Sequence, residues 1–137
     1  KGILLPSGFS LQYPLLNRTA TEYRYAGDQR VYMDAVRARL TGGDADLKWT
    51  KLYGGKVTEN IVQAIAAYII RMQMVQARLA GLKAVFQVHD EIVIVAPESQ
   101  VDLYEQKLVK IMSTPPDWMP DLPIACEPGQ GYTYGEV

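Results

Sequence analysis

Two apolar runs, Ala84–Val88 and Ile92–Ala96, enclose a short polar centre, His89-Asp90-Glu91. Runs of this length, rich in Val and Ile, read as strands, so residues 84–88 and 91–96 predict a tight hairpin that Pro97 closes. Before it, Ile61, Ile65, Tyr68, Met72, Val75 and Leu79 recur at three- and four-residue steps. That period predicts a long amphipathic helix over Thr58–Ala80, with Thr58 as N-cap, Glu59 in the first turn and Gly81 ending it. At about 100° per residue, Asn60, Gln63, Ala67, Arg71, Met74 and Arg78 fall on a second, polar and basic face. After the hairpin, Glu98–Met112 repeats the helical pattern, with Val101, Tyr104, Leu108 and Met112 expected inward.

The outer parts of the chain are less periodic. "GILLPSGFSLQYP" places a Pro-Ser-Gly turn between two β-prone runs and predicts a hairpin. From Asn17 to Asp46 the pattern weakens to strand-like pieces around Glu22–Tyr25 and an irregular Thr41–Asp46 loop. "LKWTKLYGG" alternates and reads as a strand that Gly54-Gly55 terminates, and "STPPDWMPDLP" reads as a turn region. "IACEPGQGYTYGEV" is expected to begin as a short strand and continue as a Gly-rich tail. The order of elements predicts an α+β fold: an antiparallel sheet with a long amphipathic helix and a second helix packed on it.

Composition narrows the class. The 137 residues are 48% hydrophobic and 21% charged, values of one soluble globular domain. The single Cys126 excludes an internal disulfide and fits a reducing compartment. No apolar run approaches the roughly 20 residues of a membrane-spanning helix, so no membrane partner and a cytoplasmic setting are expected. The chain opens on Lys1 rather than Met, which suggests a segment of something longer. The net charge of −1 does not mark a dedicated nucleic-acid binder, but its distribution is uneven. Residues 1–83 carry 12 Lys+Arg against 6 Asp+Glu, and residues 84–137 carry 2 against 9. A basic part beside an acidic part could hold a polyanion on one side and cations on the other, although solvated charge segregates by chance as well.

The polar centre of the hairpin carries the candidate chemistry. If His89 and Asp90 form a two-residue loop, both occupy positions that favour φ > 0, which His and Asp tolerate better than most residues. From a regular strand Asp90 and Glu91 would point to opposite faces, but at a turn one or both could hold a hard cation such as Mg²⁺. The plainer reading makes Asp90 an ordinary turn aspartate and His89 a hydrogen-bonded turn residue. Spacing alone favours that plainer reading: the chain has no HExxH, no Cys pair, no phosphate-cradling Gly-rich loop and no nucleophile elbow.

Three stretches occur together: "LPSG" with Leu11 and Tyr13 after it, "YGGKVTENIVQAIAAYII" on the long helix, and "QVHDEIV" on the hairpin. In combination they resemble the C-terminal portion of family A DNA polymerases, the DNA polymerase I type, and most of all the phage branch. The resemblance runs from Gly2 to the end of the chain and is weakest between Asn17 and Asp46. It implies that residues 1–137 form a single partial domain, the C-terminal part of the polymerase palm, with residues 1–16 adjoining the fingers. It implies template-directed nucleotidyl transfer from dNTP to a primer 3′-hydroxyl. Asp90 would then be one of two aspartates holding a Mg²⁺ pair, Glu91 a neighbouring carboxylate near the metals, and His89 a residue at the primer terminus.

The same resemblance makes Lys56, Asn60 and Gln63 contacts to primer–template DNA, with Arg71 a further candidate for tracking phosphates. Amide and basic donors suit the minor groove, where every correct pair offers acceptors and geometry is felt without base identity. Two departures stand out. Lys56 occurs where DNA polymerase I proper has arginine, so a point charge replaces a planar fork. Asn60 and Gln63 are also one residue closer together than in that enzyme. The family's other metal-binding aspartate and its nucleotide-binding fingers helix would lie upstream of Lys1, so the isolated chain is expected to be inactive. Expected partners are primer–template DNA, dNTP and the remainder of the polymerase, with any processivity factor unidentified. Two other classes stay open: a non-catalytic DNA-binding module using the 56–78 helix, and a metal-dependent hydrolase using His89, Asp90 and Glu91.

Overall fold

The computed structural model describes residues 2–27, 33, 36–38, 40–42 and 49–136. They form an α+β structure in which every strand pairing is antiparallel. Among the described residues the pairing is spread over three small sheets rather than gathered in one. By contacts the chain divides into two compact units, Lys1–Ala64 and Ile65–Val137.

The first unit opens with the expected hairpin, β1 (Gly2–Leu4) against β2 (Ser10–Gln12). Its turn closes through Gly8 N–H on the Leu5 carbonyl at 2.9 Å and Leu5 N–H on Phe9 at 2.7 Å. Gly8 takes φ +82°, a left-handed conformation that suits glycine best. A three-stranded sheet follows, ordered β3 (Asn17–Arg18), β4 (Tyr23–Tyr25), β5 (Thr50–Leu52). Arg18 and Arg24 lie over the rings of Tyr23 and Trp49, at 5.5 and 5.0 Å from the centroids. Leu5, Tyr13 and Ala26 are buried, and Tyr13 meets Tyr25 edge-on at 5.1 Å.

Between β4 and β5 the described residues from Met33 to Thr41 are helical, an element that the weak pattern there does not suggest. Of the expected Thr41–Asp46 loop, Gly43 to Asp46 lie outside the described residues.

The long helix, α1 (Gly54–Leu79), starts earlier than its periodicity indicates. Val57 N–H already bonds the Tyr53 carbonyl at 3.0 Å, so Gly54-Gly55 open the helix instead of only closing a strand. Thr58 is therefore not the N-cap; its hydroxyl donates back to the Gly54 carbonyl at 3.1 Å. The far end matches expectation. Gly81, at φ +84°, bonds Arg78, and Leu82 N–H reaches the Ala77 carbonyl at 2.9 Å, the two bonds of a Schellman cap. Leu82, just beyond, is the largest fully buried side chain among the described residues.

In the second unit α1 is buried along Ile70, Gln73 and Ala77, and not along the expected stripe, since Met72, Val75 and Leu79 are exposed. The sequence is apolar on more than one side of this helix, and periodicity alone cannot choose between faces. Buried Gln73 donates to the Met112 carbonyl at 2.8 Å and satisfies one of the last free carbonyls of α2 (Val101–Met112). Tyr68 lies 6.0 Å from Trp118. A short 3₁₀ turn, Glu98–Gln100, leads into α2, and Val101, Tyr104, Leu108 and Met112 are each half-buried.

The hairpin is β6 (Ala84–Val88) against β7 (Glu91–Ile94), two residues shorter than expected on the second strand. Its register is irregular between Ala84 and Phe86, which leaves Val85 as an extra residue on β6. The expected strand at residues 124–126 does not form. Pro120, Pro123 and Pro128 surround it, and each removes a backbone donor that a ladder would need. The Gly-rich segment instead ends in a 3₁₀ turn at Tyr134–Glu136. Among the described residues no helix is long and apolar enough to cross a membrane.

Candidate functional site

The hairpin turn is built as the sequence suggests. Val88 pairs with Glu91, so His89 and Asp90 form a two-residue loop. His89 takes φ +48°, while Asp90 does not share a positive φ, contrary to expectation. A positive φ at the first loop position alone departs from the I′ turn, which needs it at both. The Gln87 amide braces the turn by donating to the His89 carbonyl at 2.8 Å.

His89, Asp90 and Glu91 are all exposed, so the structure gathers the three candidates at one accessible tip. Alternation along the strands then separates their surroundings. Ile92 is buried on one face, whereas Glu91 shares the other face with Val88, Phe86 and Val93. On that face Tyr134 meets Phe86 edge-on at 5.2 Å, and its hydroxyl donates to Glu91 Oε2 at 2.7 Å. This bond to the carboxylate, the first cause, pushes the Tyr134 phenol above its ordinary pKa, with some desolvation adding to it. The sequence offered no reason to single out Tyr134, which stands 43 residues from Glu91.

Carboxylate oxygens are the donor type that Mg²⁺ takes. Asp90 and Glu91 supply that chemistry at an open turn, but the described residues contain no cluster of three or more His, Cys, Asp or Glu placed around one point. A complete site would need ligands from elsewhere.

The second set of candidates lies in the first unit, on the opening turns of α1. Lys56 pairs with Glu59 at 3.0 Å, and the Gln63 amide lies 3.4 Å from the other Glu59 oxygen. The hydrogen bond and charge of Glu59 raise the Lys56 pKa, so the ammonium is retained well above neutral pH. Asn60 is half-buried and its amide lies 3.4 Å from the Tyr13 hydroxyl. Lys56, Asn60 and Gln63 are thus brought onto neighbouring turns, with Glu59 set among them as a competitor for the same donors. Arg71 belongs to the second unit and is exposed.

Against known proteins, the chain aligns with the "DNA polymerase" of Bacillus phage SP02 at 34% identity over 127 residues. This chain is similar to a phage DNA polymerase. The match covers 91% of the chain but only 18% of the phage protein, so the chain spans less than two thirds of that relative's length. No protein-family model matches the chain, and no solved structure matches it.

Proposed function

We propose that the chain is the C-terminal palm segment of a family A DNA polymerase and takes part in template-directed DNA synthesis. The observation that carries this reading is the exposed, carboxylate-bearing tip of an antiparallel hairpin, set directly after a long helix in a chain similar to a phage DNA polymerase. Asp90 would hold Mg²⁺ together with ligands from the rest of the polymerase. When bound, the metal pair would lower the cost of charge developing on the attacking and leaving oxygens of an in-line phosphoryl transfer.

The chain's own residues supply position. Buried Ile92 anchors β7, and the Gln87–His89 bond braces the turn, so the Asp90 carboxylate is carried on a rigid support. His89, at the same tip, would meet the primer terminus. Lys56, Asn60 and Gln63 present donors suited to minor-groove acceptors and phosphate. The partners are primer–template DNA, dNTP and the remainder of the polymerase.

Primer extension by the full-length protein that contains this chain, wild type against Asp90→Asn, tests the reading. The substitution keeps size and removes one metal-binding charge. Extension with Mg²⁺ should fall by several orders of magnitude while DNA binding persists. Equal extension by both proteins would reduce Asp90 to a turn residue, and extension by neither would leave a DNA-binding module as the better account.

A further inference from the structure

Glu91 adjoins Asp90 in the sequence, yet the two carboxylates differ in what holds them. Segment 130–136 folds on itself beside the hairpin: the Glu136 carboxylate accepts from the backbone N–H groups of Tyr132 and Thr133 at 2.7 and 3.1 Å. The same segment is fastened to the helical part of its own unit by Tyr132 on Glu98 at 3.0 Å and by Gln130 on Glu105 at 2.6 Å. This local turn presents Tyr134, whose ring meets Phe86 edge-on and whose hydroxyl reaches Glu91 at 2.7 Å. That distance is in the range of a charge-assisted bond from a hydroxyl to a carboxylate. The register explains why one aromatic side chain can do both. Phe86 and Glu91 lie on the same face of the hairpin, opposite buried Ile92.

We propose that Tyr134 is a positioning residue for the turn: its hydroxyl holds the Glu91 carboxylate on the Phe86 face and leaves Asp90 as the carboxylate presented to a cation. The proposal rests on the reading of Asp90 given above and deepens it. A glutamate side chain is flexible, and next to Asp90 it could swing toward the same ion and displace substrate oxygens or water from it. Tying one oxygen to a phenol that is itself fixed by ring packing removes that freedom. Groups that orient metal-site carboxylates in this way typically matter by about 10–100-fold in metal affinity or activity.

The test uses the full-length protein carrying Tyr134→Phe, Glu91→Ala or both, with Asp90→Asn beside them. Tyr134→Phe keeps the ring against Phe86 and removes only the hydroxyl, and thermal melting checks that each variant folds as wild type does. Primer extension is resolved into kcat and KM, and Mn²⁺ binding to the protein–DNA complex is followed by electron paramagnetic resonance. Tyr134→Phe should lower kcat by about tenfold, tighten Mn²⁺ binding because the released Glu91 carboxylate joins the ion, and leave KM for primer–template unchanged. In the Glu91→Ala background it should add nothing.

Unchanged kcat and Mn²⁺ affinity in Tyr134→Phe, or an equal further loss when Glu91 is already alanine, would overturn the proposal. The arms separate this failure from failure of the polymerase reading. If Asp90→Asn is inactive and Tyr134→Phe behaves as wild type, only the positioning role falls. If wild type does not extend a primer, or Asp90→Asn extends normally, both fall.

Discussion

His89 holds a left-handed backbone at φ +48°, a region that costs a non-glycine residue about 1–2 kcal/mol. His89→Gly should remove that strain and raise stability in urea denaturation by about 0.5–1 kcal/mol, less than the full cost because glycine is freer when unfolded. If His89 meets the primer end, the same substitution should lower primer extension while the fold becomes more stable. The sequence placed His89 and Asp90 in the loop, because apolar runs on both sides leave little choice of register. It could not show that only His89 is left-handed, since both two-residue turn types fit the same spacing.

Cys126 is a second residue whose setting is decided by packing. Burial, and then the charges of Glu105 and Glu127, hold its thiol above the ordinary value, so the thiolate is scarce near neutral pH. Alkylation at pH 8 should therefore be slower than that of a free cysteine and should quicken as pH rises.

At the scale of elements, α1 contains both the clearest signal and the main misreading. The repeat from Ile61 to Leu79 announces a helix, and Gly81 ends it as expected. The buried face of its second half nonetheless runs along Ile70, Gln73 and Ala77. A glutamine in a core position reads as a surface residue until its partner, the end of α2, is known. Gln73→Ala should lower stability by about 1–3 kcal/mol, measured by denaturant melting, because it leaves a helix-end carbonyl without its donor. At the other end of α1, Glu59 pairs with Lys56 and lies near the Gln63 amide. Glu59→Gln should therefore tighten DNA binding by the full-length protein and steepen its dependence on salt, as fluorescence anisotropy at several salt concentrations would show.

At the scale of the whole molecule, the chain carries its basic residues early and its acidic residues late, and it spans only 18% of the phage polymerase it resembles. The described residues do not surround a cation with three or more acidic, His or Cys side chains. Mg²⁺ surrenders its water reluctantly and needs several aligned oxygen ligands. The isolated 137-residue chain should accordingly show no nucleotide incorporation and no tight Mg²⁺ binding, by primer extension and titration calorimetry. Incorporation by the isolated chain would mean that the catalytic residues are complete within it.

The sequence by itself determined the α+β class, the long helix with its glycine end, the two hairpins and the polar tip at His89–Glu91. Each of these follows from local sterics and from the periods of helix and strand, which act over a few residues. Tertiary structure alone decided which face of α1 is buried, how the described strands divide among three sheets, and that Tyr134 holds Glu91. Those outcomes depend on partners tens of residues away, and no local period encodes which of several compatible surfaces will meet.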